Sequence, residues 1–114
     1  MHIQRLNLLN FRNYSSQAVD LSPGLNIFVG DNAQGKTNLL EAIYVLSLSK
    51  SYRTSRETEL IKHGELQTAI QAKVRKMAVL DLEAVISQNG PKKLLVNAKQ
   101  TSASSFMGQL NVVL

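Results

Sequence analysis

The sequence predicts an α/β fold in which a mixed sheet wraps one phosphate-binding helix and is joined to an antiparallel β-subdomain. Three observations carry this expectation. A short apolar run, Leu25 to Val29, leads into Gly30-Asp31-Asn32-Ala33-Gln34-Gly35-Lys36-Thr37. A segment that is apolar nearly all round, Lys36 to Leu48, follows directly. Further on, Leu66 to Arg75 and Leu80 to Ile86 alternate apolar and polar residues, the period of a half-buried strand.

Taken in order, Ile3 to Phe11 reads as the first strand, with Leu6 and Leu8 on one face and Leu9 and Phe11 on the other. The change of face after Leu8 predicts a bulge, since side chains alternate strictly along a regular strand. Gln17 to Leu21 forms a second short strand with Val19 and Leu21 on one face. Ser22-Pro23-Gly24 then supplies a fixed φ followed by a residue free to adopt φ > 0, as a type II turn requires. Leu25 to Val29 reads as a strand buried on both faces. In the helix Lys36–Leu48, Leu39, Ile43 and Leu46 recur at i, i+4 and i+7, and Glu41 is the only charge between Lys36 and Lys50. A helix of that character is enclosed rather than surface-lying. After a Ser-rich, basic connection, the two alternating strands follow. Asn89-Gly90 marks a reversal and Pro91 bars a strand from continuing through it. Leu94 to Val96 returns, and Thr101 to Met107 predicts a short helix capped by Thr101 or Ser102. The expected organisation is a loop-helix core over 1–56, an antiparallel subdomain over 57–100, and a short helix with the start of a further strand over 101–114.

With 114 residues, 44% of them hydrophobic and 18% charged, the chain has the size and composition of one folded domain. No apolar run approaches the ~20 residues of a membrane helix, and the N-terminus has no signal-peptide pattern. Cysteine is absent, which excludes disulfides and thiolate metal sites and agrees with a cytoplasmic protein. The excess of 13 Lys and Arg over 8 Asp and Glu suits an anionic partner without specifying one. The closing run Gln109 to Leu114 is apolar and strand-like, so the sequence is expected to be a truncated piece of a longer chain.

Gly30 to Thr37 fits G-x-x-x-x-G-K-[ST], the phosphate-binding loop, and each of its parts has a physical task. The two glycines let the backbone N–H groups of Asp31, Asn32, Ala33 and Gln34 turn inward on an anion. The helix that opens near Lys36 adds unpaired N–H groups and the positive end of its dipole. Lys36 brings a point charge to the β- and γ-phosphates, and the Thr37 hydroxyl is placed to ligate Mg²⁺. Asn38 follows the loop, where it suits either contact with phosphate or metal-bound water, or an ordinary helix position.

Ile3-x-x-Leu-x-Leu-x-Asn-Phe-Arg-Asn-Tyr14, a Pro-Gly turn, and then Asn26-x-x-x-Gly-Asp-Asn-Ala-Gln-Gly-Lys-Thr-Asn-Leu-Leu-Glu-Ala-Ile43 closely resemble the RecF family of bacterial DNA-repair ATPases, whose heads are of the ABC/SMC class. Lys50-Ser51-Tyr52-Arg53 also fits that family. The match is strong from Met1 to about Arg56 and weaker to Leu114. Heads of this class commonly carry a second glycine where Ala33 stands. Their Walker B aspartate and adjoining glutamate, signature motif and switch histidine have no counterpart here and are expected downstream of Leu114.

The resemblance implies the N-terminal lobe of a P-loop NTPase head that binds ATP with Mg²⁺. It further implies an ATP-dependent homodimer gripping single-stranded or gapped DNA, partnership with RecO and RecR, and a place in DNA repair, replication, recombination and the SOS response. No membrane is implicated. It places Arg12 and Asn13 beside the base and ribose, with Arg12 also within reach of a phosphate; a solvated strand end is the plainer reading. No catalytic residue is assigned. The family is a weak ATPase, and this chain alone is expected to be inactive.

Lys50, Arg53 and Arg56, with Tyr52 between them, have the composition of a nucleic-acid patch. Lys73, Arg75 and Lys76, with Lys92 and Lys93, suggest a second patch, although such charges ordinarily solubilise strand edges. His63 reads as a loop residue. Asp81 and Glu83 share one strand face and read as solvent-facing. Three competing classes remain: an ABC-transporter ATPase subunit, a GTPase or nucleotide kinase, and an inactive fragment. The transporter ATPase would bring an adenine-stacking aromatic in the first strands. A GTPase would bring Asn-Lys-x-Asp, which does not occur in this sequence.

Overall fold

The computed structural model describes residues 2–20, 33–48, 56–75, 77–107 and 109. The strand expected at Leu25 to Val29 and the turn at Ser22 to Gly24 lie outside the described residues. Within them, six strands pair antiparallel: β1 (His2–Phe11), β2 (Tyr14–Asp20), β3 (Gln67–Arg75), β4 (Val79–Ser87), β5 (Lys93–Val96) and β6 (Lys99–Gln100). Their order across one sheet is β2-β1-β3-β4-β5-β6. The strands before and after the helix therefore belong to a single sheet, joined by the β1–β3 pairing.

Alternation along β3 and β4 gives the sheet its inner face. Register aligns Leu6, Ala72, Leu82 and Val96 in one row, and Leu8, Ile70, Ala84 and Leu94 in the next. Helix α1 (Ala33–Leu48) contributes Ala42, Ile43, Val45 and Leu46 to the same core. The short helix α2 (Ala103–Met107) contributes Phe106. Ser102 caps α2, its hydroxyl accepting from the Ser105 N–H at 3.3 Å. Burial of each such Leu or Ile contributes roughly 1.5–3 kcal/mol. The outer face is polar: Gln71 donates to Glu83 at 2.9 Å, and Arg5 pairs with Asp20 at 2.6 Å.

Helix α1 starts three residues before the expected Lys36, inside the loop motif, and over residues 38–47 it is enclosed as its composition predicts. Two departures concern β1. The expectation put Leu9 and Phe11 on one face, whereas Leu9 is 42% exposed and Phe11 is fully buried with Leu6 and Leu8. The change of phase runs through Asn10, whose φ of 52° rotates the chain by one side-chain position. A further register shift, between Ile3 and Arg5, is not visible in the apolar pattern. The reversal at Asn97 and Ala98 and the two-residue strand β6 also escape it.

Candidate functional site

The first turns of α1, formed by the backbones of Ala33 to Thr37, lie in chain order just ahead of the residues that fasten this helix to the rest of the fold. Gly30, Asp31 and Asn32 lie outside the described residues. Asn38 and Glu41 are on α1 and nearly or fully buried, at 1% and 0% exposure. Both reach the two-residue turn Arg12-Asn13 that joins β1 to β2. Asn38 donates from its amide Nδ2 to Asn13 Oδ1 at 3.2 Å. Arg12 grips Glu41 with two parallel hydrogen bonds, Nε to Oε1 and Nη2 to Oε2, each 2.9 Å. This fork-on-fork geometry makes the strongest kind of charge-assisted pair, and it is available to Arg but not Lys.

The turn is also held through its backbone. Arg12 donates its N–H to the Leu60 carbonyl at 2.8 Å, and Lys62 donates to the Asn10 carbonyl at 2.7 Å. Phe11 and Ile61 form an antiparallel bridge between these bonds. Residues 57–60 make a 3-10 turn that brings this segment to β1, and Lys92 pairs with Glu57 at 2.6 Å to fasten the turn in place. Arg12 itself sits at φ 55°, a left-handed conformation that costs a residue with a Cβ about 1 kcal/mol or more. Hydrogen bonding to Glu41 raises the Arg12 pKa above its ordinary value, and partial burial opposes the rise. The guanidinium therefore stays charged throughout the range in which proteins fold.

Beside this turn is an open cleft of about 580 Å³ lined by Arg12, Asn13, Asn38, Thr58, Glu59, Ile61, His63, Gly64 and Gln88. The sequence identified Arg12, Asn13 and Asn38 as candidates, and the structure brings them together in the wall of this cleft. It also adds Thr58, Glu59 and Gln88, which no motif marks, and gives His63 a place in the wall. Among the described residues there is no group of three or more His, Cys, Asp or Glu side chains suited to a metal ion. No helix among them is long and apolar enough to cross a membrane.

Of the basic residues, Lys50, Arg53 and Lys76 lie outside the described residues, and Arg56 is exposed just before the 3-10 turn. Lys73 and Arg75 are exposed on the outer face of the sheet, Lys73 lying 3.9 Å from Asp81. Lys93 pairs with Val85, opposite Ala69, whereas Lys73 lies four residues further along β3. At about 3.3 Å per residue that is roughly 13 Å along the strands, with β4 lying between the two.

A family model described as an AAA ATPase domain matches residues 1–109, and the chain belongs to this family. The DNA replication and repair protein RecF of Lysinibacillus sphaericus is 41% identical over 118 residues, which cover all of this chain and 31% of that protein. The protein of the same name from Latilactobacillus sakei is 47% identical over 115 residues, again covering all of this chain and 31% of its own length. The chain thus spans about a third of the curated relatives it matches. The solved structure of the recombination mediator protein RecF-ATP in the RecFOR pathway superposes with a TM-score of 0.87 at 34% identity, over 96% of this chain and 31% of that one. An Smc head domain from Pyrococcus furiosus superposes at a TM-score of 0.78 and 20% identity, over 94% of this chain and 32% of that one. The second likeness concerns the fold alone. The fold is that of the P-loop heads of RecF and SMC ATPases.

Proposed function

We propose that this member of the AAA ATPase domain family is the ATP-binding lobe of a RecF-like head acting in recombinational DNA repair and replication. The observation that carries the reading is the motif Gly30-x-x-x-x-Gly35-Lys36-Thr37 at the start of a helix that is buried or half-buried over residues 38–47. An enclosed helix holds its N-terminal amides still, so they can meet phosphate without reorganising. In this reading the amides of the loop and Lys36 hold the β- and γ-phosphates. In the same reading Thr37 and the nucleotide's own phosphates would hold a Mg²⁺ ion, which prefers oxygen ligands. Bound there, the ion neutralises phosphate charge. Arg12 and Asn13 meet the nucleoside side of the ligand from the adjoining cleft, and Asn38, next to the loop, is placed for phosphate or metal-bound water.

The wider role rests on the resemblance to the RecF family, with the relatives' names in support for repair and replication. ATP drives two heads together on single-stranded or gapped DNA in the cytoplasm, with RecO and RecR as partners and the SOS response as setting. Lys50, Arg53 and Arg56 are the first candidates for DNA contact, and Lys73, Arg75 and Lys76 the second. Charge reversal at Arg53 and Arg56 should then flatten the salt dependence of DNA binding, because fewer counterions are released. Alone, this chain binds ATP weakly and hydrolyses it no faster than buffer, since no residue assigned here orients the attacking water.

Calorimetric titration of the chain with ATP and ADP tests the reading. Lys36→Ala should weaken ATP more than ADP, by roughly 1.5–3 kcal/mol for a lost charge-assisted hydrogen bond. Equal losses for both nucleotides would remove Lys36 from the γ-phosphate, and no binding by the unaltered chain would favour the inactive-fragment reading.

A further inference from the structure

Glu41 is a fully buried carboxylate with no place in the phosphate-loop chemistry. Burying a carboxylate is costly, and an apolar residue would fill the same helix position without that cost. Its partner Arg12 is 29 residues away in sequence, in a backbone conformation that resists a side chain with a Cβ. Arg12 is part of the cleft wall, and 22% of its side chain remains exposed.

We propose that Glu41 is a positioning residue: it clamps the Nε–Nη2 edge of Arg12 so that the remaining donors of the guanidinium line the cleft in one orientation, ready for the nucleotide. This rests on the ATP-binding reading above. A free arginine side chain would need to lose its rotamer freedom on binding, which weakens affinity. Here that freedom is already lost in the folded protein, because two parallel bonds fix both the place and the plane of the guanidinium. The strain at Arg12 has the same sense. It is sustained by bonds on either side of the turn, to Leu60 and from Lys62, which aim the side chain at α1. Glu41 touches no ligand in this scheme and acts only through Arg12.

The test is a double-mutant cycle on the full chain, with ATP affinity and thermal melting measured together. Arg12→Ala should lower ATP affinity roughly tenfold or more, as expected for a lost charge-assisted hydrogen bond. Glu41→Gln keeps the shape but loosens the clamp, and should lower affinity by about three- to tenfold, in the range of coupled neighbours. In the Arg12→Ala background the same change should have no further effect on affinity. Arg12→Lys is the variant least able to disturb the fold, since it still neutralises the buried carboxylate. It should melt close to the unaltered chain yet bind ATP nearly as weakly as Arg12→Ala, because an ammonium cannot be held by two bonds in a plane. Full ATP affinity in Arg12→Lys would overturn the proposal, and so would independent, additive losses in the cycle. Absence of ATP binding by the unaltered chain would instead overturn the nucleotide reading, and this inference with it.

Discussion

Two tight reversals in this molecule look alike from the backbone and differ in everything that holds them. Arg12-Asn13 joins β1 to β2, and Asn97-Ala98 joins β5 to β6. Each places a residue with a side chain at positive φ: Arg12 at 55°, Asn97 at 52° and Ala98 at 67°. At Asn97-Ala98 both central residues are left-handed, which matches the twist of the strands it joins. Its supports are exposed and come from the neighbouring strand β4, the Asn97 N–H to the Asp81 carbonyl at 2.8 Å and the Asp81 N–H to Asn97 Oδ1 at 2.9 Å. The Arg12 turn is held from a distance, by Glu41 of α1 and by the segment at Leu60 to Lys62. The first strain follows from hairpin geometry, which glycine would satisfy better. A positive φ at the first central residue also suits a two-residue hairpin, so what sets Arg12 apart is its grip on a buried carboxylate and its place in the cleft wall.

Substitutions should separate the two turns by sign as well as size. Arg12→Ala leaves the buried Glu41 carboxylate without its main partner and should destabilise the fold by about 3 kcal/mol. Denaturant unfolding monitored by circular dichroism would measure it, and a loss below about 1 kcal/mol, the range of surface pairs, would reduce the pair to surface rank. Arg12→Gly loses the same pair but relieves the left-handed strain, so it should be about 1 kcal/mol more stable than Arg12→Ala. If alanine proved the better replacement, the strain at Arg12 would be disproved.

At the other reversal, Ala98→Gly removes strain and no contact that matters, and should raise stability by about 1 kcal/mol. A lowered melting temperature for this variant would mean that the turn is held by something other than its hairpin geometry. The smallest effect is expected on the outer face. Lys73→Ala breaks an exposed 3.9 Å pair and should change stability by less than about 0.5 kcal/mol. A larger change would show the sheet's charged face to be structural, weakening the case for Lys73 as a DNA contact.

Local signals account well for what was legible. The inner rows of the sheet follow from alternation in β3 and β4, the enclosed helix from its single interior charge, and the reversal after β4 from Asn89-Gly90. The signals fail where local preference is overridden. Asn97-Ala98 lacks the glycine that announces such a turn, and Ala98 adopts a conformation its own chemistry disfavours. Thr58 and Glu59 reach the cleft because residues 57–62 fold back onto the end of β1, and Gln88 because it follows β4 and bonds the Leu66 carbonyl. No periodicity encodes that return.

By itself the sequence determined the enclosed helix and a half-polar sheet, and marked the phosphate-loop motif, because each is specified by residues close together in the chain and by periods that burial enforces. It also singled out Glu41 as a lone charge in an apolar helix and Arg12 as a candidate, without connecting them. Only the tertiary structure decided that connection. A buried carboxylate must find a cation wherever the fold brings one within hydrogen-bonding distance, and that is a condition on three-dimensional distance, which spacing along the chain does not contain.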